Sequence, residues 1–223
     1  MIPLRDTLRS QTAPVLTVAL IALNALVFVH ERTLGAGLGR SLHAYGLVPA
    51  RLVHWPFAPL DPARFLPLFT SMFWHGGVLH LLGNLLYLWI FGDNVEELLG
   101  HFRYAAFYLL GGLGAALAQV ALSPESTVPT VGASGAIAAV LGAYLVSFPR
   151  SRVLTFIPVF FLPWLVEIPA VVFLVAWFAL QVASAVLSLH APETAQVAFG
   201  AHAGGFVTGI VLVKLLRPAR RAA

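Results

Sequence analysis

The sequence contains no cysteine among its 223 residues. This absence excludes a disulfide framework, a metal site built on thiolates and a cysteine nucleophile. Charged side chains are also scarce, because Asp, Glu, Lys and Arg supply 10% of the chain, whereas a soluble domain has about 25%. Hydrophobic residues make up 59%, and the mean hydropathy is +0.88. This composition indicates an integral membrane protein that crosses the lipid bilayer several times.

Three further kinds of site lack the residues that they need. No glycine-rich phosphate loop follows a predicted strand, so nucleotide binding has no support. The stretch 30–34 starts like the zinc-protease signature, but Leu34 stands where a second histidine is required. No Asp lies inside a predicted span, which excludes a pair of membrane aspartates. The basic C-terminus is explained by membrane topology, and no nucleic-acid partner is predicted.

Hydrophobic runs near the roughly 17–25 residues that a spanning helix needs predict six membrane helices. They cover residues 13–29, 67–91, 102–122, 132–148, 170–189 and 198–216. The predicted fold class is therefore all-α, with residues 1–223 forming a single membrane domain. The first span is expected to be a retained anchor rather than a signal peptide, because no small-x-small cleavage site follows it.

The connections between the spans differ in character. The long connection 30–66 mixes aromatic, proline and arginine residues and is expected to lie half-sunk in the membrane interface. Residues 92–101 are predicted to form a short polar turn. The segment 153–169 is apolar but interrupted by three prolines, so it predicts a loop or an interfacial piece.

The basic residues predict the orientation of the bundle. The two termini, the turn at 149–152 and the turn at 92–101 with Arg103 hold nine of the thirteen Lys and Arg residues, and the turns 123–130 and 190–197 hold none. Both termini are therefore predicted to be cytoplasmic. The second, fourth and sixth spans then run inward, so their first residues lie at a similar depth near the outer side.

Two of these inward-running spans carry a stripe of small residues at a spacing of four. The stripes are Ser134, Ala138 and Gly142 on the fourth span and Ala201, Gly205 and Gly209 on the sixth. On a helix, such a stripe forms one narrow face that allows another helix to approach closely. We therefore expect the fourth and sixth spans to touch.

Ser134 and His202 lie near the starts of these stripes, and each admits two interpretations. Ser134 is either a helix N-cap or a nucleophile. His202 either makes its hydrogen bonds to a neighbouring helix or has a functional role, which is the default interpretation of an ionisable residue inside a span. Contact between the stripes would bring hydroxyl and imidazole within hydrogen-bond distance. No Asp or Glu lies in the second, fourth or sixth span, and Glu167 is placed near the inner end of the fifth, so a Ser-His dyad is predicted rather than a triad.

His80 and Asn84 are four residues apart on the second span and share one helix face. Two interpretations of this pair stay open. The side chains either hydrogen-bond to neighbouring helices, or they donate hydrogen bonds to an oxyanion.

The motifs that contain these residues resemble those of the rhomboid family of intramembrane serine proteases. The resemblance extends from the first span to the sixth and follows the family's order. The motifs are His80-Leu81-Leu82-Gly83-Asn84, Gly132-Ala133-Ser134-Gly135 and Ala201-His202-Ala203-Gly204-Gly205. The resemblance implies a six-helix rhomboid-like bundle that requires no metal and no cofactor.

The resemblance also implies a role for each site residue. Ser134 is the expected nucleophile, and His202 is the expected general base and then general acid. The backbone N–H of Ser134, together with His80 and Asn84, is expected to hold the oxyanion. His75 matches a further family histidine that supports the site or its access to water. The other supporting residues are Gly132, Gly135 and Gly205, which belong to the motifs.

Two positions depart from the family's pattern. Many members carry Trp-Arg just before the second helix, where this chain has Leu66-Pro67. Bacterial relatives often have an aromatic residue one turn after the serine, where this chain has Ala138. Another side chain is therefore expected to position His202.

The resemblance predicts a serine endopeptidase that hydrolyses peptide bonds in or beside the transmembrane segments of substrate proteins. The compact chain favours a prokaryotic cell membrane. The alternative is a non-catalytic rhomboid-like protein that binds membrane clients, which the loss of Ser134 or His202 would have favoured. A small transporter is a third candidate, but no inverted repeat or paired intramembrane charge supports it.

Overall fold

A computed structural model describes residues 1–55, 61–159, 162–190 and 198–218 of the chain. The α-helices within these residues are α1 (Val15–Thr33), α2 (Leu38–Tyr45), α3 (Pro49–Val53), α4 (Pro62–Phe65), α5 (Pro67–Thr70), α6 (Val78–Leu99), α7 (His101–Leu122), α8 (Ser134–Ser147), α9 (Ala170–His190) and α10 (Phe199–Leu216). The strands are β1 (Ile2–Asp6), β2 (Arg152–Val159) and β3 (Leu162–Pro169). The long helices pack side by side, and the short helices α2 to α5 occupy the connection between α1 and α6.

Five helices in the described part of the chain are long and apolar enough to cross a membrane, namely α1, α6, α7, α9 and α10. The helix α8 is apolar but has only 14 residues. Its length of about 21 Å is shorter than the roughly 30 Å hydrocarbon core. Residues 135–144 of α8 are all buried. This helix is therefore enclosed by the others instead of facing lipid.

The predicted second span, 67–91, is wrong in its position along the chain. Residues 67–70 form only the short helix α5, and the long helix α6 begins at Val78. Gly76 and Gly77 precede that start, and glycine favours an irregular backbone over a helix. No Asp, Glu, Lys or Arg interrupts the run across this break, which is why hydropathy alone does not reveal it.

The predicted polar turn at 92–101 is also wrong, because α6 continues to Leu99. Gly100, with a φ of +75°, makes the turn into α7. The polar end of α6 stays helical because the buried carboxylate of Glu96 accepts hydrogen bonds from the backbone N–H groups of Leu16 and Thr17. These groups belong to the first turn of α1, where helix N–H donors have no partner within the helix.

The all-α prediction is wrong for three segments of a mostly helical chain, because β1, β2 and β3 form an antiparallel sheet in the order β1-β2-β3. The register pairs Asp6 with Val153 and Arg152 with Pro169. The described parts of the segment predicted as a loop or interfacial piece, 153–159 and 162–169, are thus antiparallel strands, because their β-branched and aromatic residues favour extended backbone. Glu167 lies in β3 rather than near a helix end, and its carboxylate lies 3.6 Å from Arg152 Nε.

The sheet is fixed to the helices through the carboxylate of Asp6. Oδ2 of Asp6 accepts hydrogen bonds from the hydroxyl of Tyr144, near the end of α8, and from Nδ2 of Asn94, near the end of α6. Burial raises the pKa of Asp6 from its ordinary value of 3.8 to about 6; the Tyr144 hydrogen bond opposes this shift, and the charge of Asp93 adds to it. The sheet therefore lies at the end of the bundle where α6 and α8 finish.

We expect the stability of the folded chain to depend on the titration of Asp6. A raised pKa means that the folded state binds this proton more tightly, so the contribution is fully present below pH 3.8 and is lost as the pH rises through about 6. The Tm of the unmodified chain should therefore fall more between pH 4 and pH 7 than the Tm of Asp6→Asn, measured in the same detergent. Equal slopes for the two proteins would contradict this prediction.

The helix α10 packs directly against α8 through the two stripes of small residues. A Cβ atom on Gly205 would overlap the carbonyl oxygen of Gly135, and one on Gly209 would overlap the carbonyl oxygen of Ala139. On α8, a Cβ on Gly142 would overlap the carbonyl oxygen of Phe206. The two backbones are therefore in contact, as the stripes predicted.

This contact makes Gly205→Ala a destabilising change. The added methyl group must push α10 away from α8, so we expect the free energy of unfolding to fall by about 1–3 kcal/mol. Gly83→Ala on α6 is the matched control, because nothing lies within 4 Å of its Cβ position. Thermal unfolding in detergent should separate the two variants, and an unchanged Tm for Gly205→Ala would show that the helices are not held at this distance.

Candidate active site

Ser134 and His202 face each other where α8 and α10 begin. Ser134 is the first residue of α8, and Oγ lies 2.8 Å from Nε2 of His202, in the first turn of α10. The N-cap position of α8 is Ala133, and no side chain caps that helix end. Ser134 therefore does not act as the N-cap, and its hydroxyl bonds to the imidazole instead.

The opposite edge of the His202 ring contacts α9. Nδ1 of His202 lies 2.8 Å from Oε1 of Gln181. The ring centroid of Trp177, one turn earlier on α9, lies 6.0 Å from the imidazole centroid, with an angle of 31° between the two ring planes. The ring of Phe199 meets the imidazole edge-on, with 6.2 Å between the centroids. The imidazole is thus held on one edge by an amide and bordered by two aromatic rings.

His80 and Asn84 lie against the backbone that leads into Ser134. Gly132 has a φ of +123°, a conformation that favours glycine. A Cβ atom at Gly132 would lie 2.6 Å from Nε2 of His80 and 3.4 Å from Nδ2 of Asn84. Only a residue without a side chain lets both polar groups approach this turn. The four-residue spacing predicts that His80 and Asn84 share a helix face, and in the structure that face lies against Gly132, two residues before the serine.

One donor beside Ser134 is left without a partner. Nδ2 of Asn84 is buried and has no hydrogen-bond acceptor within the described ranges. A buried polar group without a partner costs free energy and is rare in folded proteins. This N–H donor lies 3.4 Å from the Cβ position of Gly132, two residues before Ser134, and can serve a ligand oxygen that enters there.

His75 contacts the ring of His80 and does not contact the hydroxyl of Ser134 directly. It is buried in the segment before α6, and its backbone N–H donates to the Glu31 carboxylate of α1 over 2.9 Å. Its ring meets the ring of His80 edge-on, with 5.3 Å between centroids. His75 therefore joins α1 to His80.

Ser134 lines a cavity together with several small residues. This cavity is lined by Met72, Gly112, Ala115, Val131, Ser134 and Ala201, among others. The Cβ position of Gly135 lies 2.7 Å from the Cβ of Ala115 on α7, so a larger residue would close the space between α7 and α8. The small residues of α7 and α8 therefore keep this side of the cavity open.

The sequence of this chain matches the family model of the Rhomboid domain over residues 62–219. The chain belongs to the rhomboid family. The matched region contains all three motifs, with Ser134, His202, His80 and Asn84, so the resemblance inferred from the motifs is confirmed at the level of the family.

Curated relatives of this rhomboid come from animals, plants and bacteria. Presenilin-associated rhomboid-like protein A, mitochondrial, of Danio rerio is 30% identical over 155 residues, which are 68% of this chain and 38% of the relative. RHOMBOID-like protein 5 of Arabidopsis thaliana is 32% identical over 153 residues, 68% of this chain and 44% of the relative. Rhomboid protease GluP of Bacillus subtilis (strain 168) is 34% identical over 133 residues, 59% of this chain and 24% of the relative. This rhomboid thus spans less than half the length of these relatives.

Gln181 and Trp177 are the residues of this rhomboid that the sequence did not assign. The replacement of an aromatic residue by Ala138 pointed to some other support for His202 but not to its location. The available signal was on α9, where an amide and an indole four residues apart share one face of a helix without Asp, Glu, Lys or Arg. The direction in which that face points depends on packing and is not visible in the sequence.

The arrangement in this rhomboid has the parts that acyl transfer requires. A hydroxyl is hydrogen-bonded to an imidazole, the imidazole is hydrogen-bonded to a second group, and one unpartnered donor, Nδ2 of Asn84, lies against Gly132 in the backbone that leads to the serine. Ser134 is also the first residue of α8, where backbone N–H groups are free and the helix dipole is positive.

Proposed function

We propose that this rhomboid is an intramembrane serine endopeptidase that uses Ser134 and His202 as a catalytic dyad. The observation that carries the proposal is the 2.8 Å distance between the serine Oγ and the histidine Nε2. This distance allows the hydroxyl to donate its proton to the imidazole as it attacks a carbonyl carbon.

The proposed reaction proceeds in two halves. Ser134 Oγ attacks the scissile carbonyl carbon while Nε2 of His202 takes the hydroxyl proton. His202 then returns this proton to the leaving amine, and an acyl-enzyme remains on Ser134. In the second half, a water molecule gives a proton to His202 and attacks the ester, and the imidazolium returns the proton to Ser134 Oγ.

The negative oxygen of each tetrahedral intermediate needs donors placed before the reaction. The proposed donors are the backbone N–H of Ser134 and the side chains of His80 and Asn84. The support for this role is the unpartnered Nδ2 of Asn84 and the closeness of both side chains to Gly132. In this reaction the two polar groups serve an oxyanion instead of a neighbouring helix.

The proposed substrates are the transmembrane segments of other proteins. A peptide bond inside a helix is hydrogen-bonded and inaccessible, so the substrate must unwind locally before attack, which small or helix-breaking residues near the cut favour. The small residues around the cavity beside Ser134 fit such a substrate. The proposed setting is a prokaryotic cell membrane, with both termini cytoplasmic and the site open to the outer side.

The protease is favoured over the client-binding alternative by the groups around Ser134. Binding alone needs neither a hydroxyl bonded to an imidazole nor a free buried donor beside it. The relative named a rhomboid protease, from Bacillus subtilis, adds support for peptide hydrolysis.

The test uses the purified chain in liposomes with a single-pass transmembrane substrate and, separately, a fluorophosphonate that labels activated serines. We expect cleavage and labelling for the unmodified chain and for Ser147→Ala, which changes a serine at the far end of α8. Ser134→Ala should show neither. Cleavage that persists in Ser134→Ala excludes this nucleophile, and capture of the substrate without cleavage or labelling favours the client-binding alternative.

A further inference from the structure

Gln181 is a polar side chain in the middle of the apolar helix α9. An amide in a membrane helix costs free energy unless its hydrogen bonds are made. Here the carbonyl oxygen of the amide lies 2.8 Å from Nδ1 of His202, on the edge of the ring opposite to Ser134. The imidazole is therefore bonded on both nitrogen atoms, to a side chain of α9 and to a side chain of α8.

The two hydrogen bonds are coupled through the chemistry of the neutral imidazole. A neutral ring carries one N–H donor and one bare nitrogen. Ser134 can donate to Nε2 only when that nitrogen is bare, so the ring proton must sit on Nδ1. An amide oxygen accepts hydrogen bonds and cannot donate them, so Gln181 Oε1 bonds to Nδ1 only when Nδ1 carries the proton.

We propose that Gln181 is a positioning residue that holds His202 in the tautomer with its proton on Nδ1, which leaves Nε2 free to accept the proton of Ser134. The inference rests on the proposed function, since the tautomer matters to a base and not to a binding surface. In this proposal a neutral amide on α9 takes the place of the acidic third residue of a catalytic triad. Trp177, one turn away on the same helix, borders the ring that Gln181 orients.

A merely structural role for Gln181 makes a different prediction. If the amide served only to join α9 to α10, its removal would lower stability and leave the chemistry of the ring unchanged. The chain offers a control for that case in Gln119 of α7, whose Oε1 accepts a hydrogen bond from the backbone N–H of Ala201 over 3.1 Å. Both amides bond to the first turn of α10, but only one of them bonds to the imidazole.

The kinetic test compares Gln181→Met, which keeps the length of the side chain and removes the acceptor, with Gln119→Met. We expect kcat for a transmembrane substrate to fall about 10²-fold in Gln181→Met with little change in KM, because the base is no longer held in place. Gln181→Glu keeps an acceptor oxygen and should recover most of the lost kcat. Gln119→Met should lower Tm without a comparable loss of kcat.

The spectroscopic test reads the tautomer directly, by solid-state NMR of ¹⁵N-histidine in lipid bilayers, with the His202 signals assigned by their loss in His202→Ala. We expect a protonated Nδ1 and a bare Nε2 in the unmodified chain and in Gln119→Met. In Gln181→Met, the form with the proton on Nε2 should appear. This measurement requires no cleavage.

The outcomes separate the two proposals. If the unmodified chain cleaves its substrate and Gln181→Met does so at the same kcat with the same tautomer, the role of Gln181 is refuted and the protease proposal stands. If the unmodified chain fails to cleave, the proposed function falls and the positioning role falls with it, whatever tautomer the spectra report.

Discussion

Ser134→Ala is expected to lower kcat/KM for a transmembrane substrate by about 10⁴- to 10⁶-fold, and His202→Ala by a similar factor. The double variant should be no less active than either single variant. The physical reason is that the hydroxyl and the imidazole form one hydrogen-bonded unit across 2.8 Å. Once either group is lost, the other has no proton to take or give, so removing it as well costs nothing further.

The measurement is single-turnover cleavage in liposomes by the four proteins of this cycle, each shown to be folded by thermal unfolding. Ser147→Ala serves as the control for a serine change within the same helix and should retain full activity. Additive losses, with the double variant far below both single variants, would mean that the two residues act independently and that the dyad is wrong.

Asn84→Ala is expected to lower kcat about 10²- to 10³-fold with little effect on KM, the cost of losing one oxyanion donor. The side chain has a buried Nδ2 without a partner among the described residues, close to Gly132 and hence to the serine. In the proposed mechanism, a donor that is free in the resting protein gains its acceptor only when charge develops on the substrate oxygen. Its removal should therefore affect the transition state more than the bound substrate.

The control for this change is Asn94→Ala, at the other end of the same helix. Asn94 is also buried, but its Nδ2 donates to Asp6 and lies far along α6 from the serine. Asn94→Ala should lower Tm and leave kcat near that of the unmodified chain. A peptide aldehyde, which forms a tetrahedral adduct with a catalytic serine, gives a second measurement. Unchanged aldehyde affinity in Asn84→Ala would remove the asparagine from the oxyanion site.

The sequence was informative about the helices wherever an apolar run coincided with a helix. The limits of α7 to α10 follow the runs closely because lipid-facing and core residues are both apolar in a membrane. Because hydropathy was the main signal, the start of α6 could not be predicted: no charged residue interrupts the run from Pro67 through the irregular segment before Val78. The strands β2 and β3 could not be predicted either, because hydropathy does not distinguish an apolar strand from an apolar loop.

The site could be predicted as far as its spacing along helices allowed. The small-residue stripes indicated that α8 and α10 touch, and the four-residue spacing of His80 and Asn84 indicated a common face. Gln181 and Trp177 escaped prediction because their relevance depends on how α9 is rotated about its axis. That rotation is fixed by contacts distant in sequence, such as the stacking of Phe178 on Phe206 at 4.6 Å.

The enclosure of α8 by its neighbours has a consequence for how lipid composition acts on this protein. A spanning helix exposed to acyl chains tilts when the bilayer becomes thinner or thicker. Residues 135–144 of α8 are buried among the other helices, so the depth of Ser134 follows from how α7 and α10 pack around α8 and not from direct contact between α8 and acyl chains. A helix such as α1, with its exposed apolar side chains, can tilt with the bilayer, while the backbone contact between α8 and α10 keeps the hydroxyl and the imidazole at their separation.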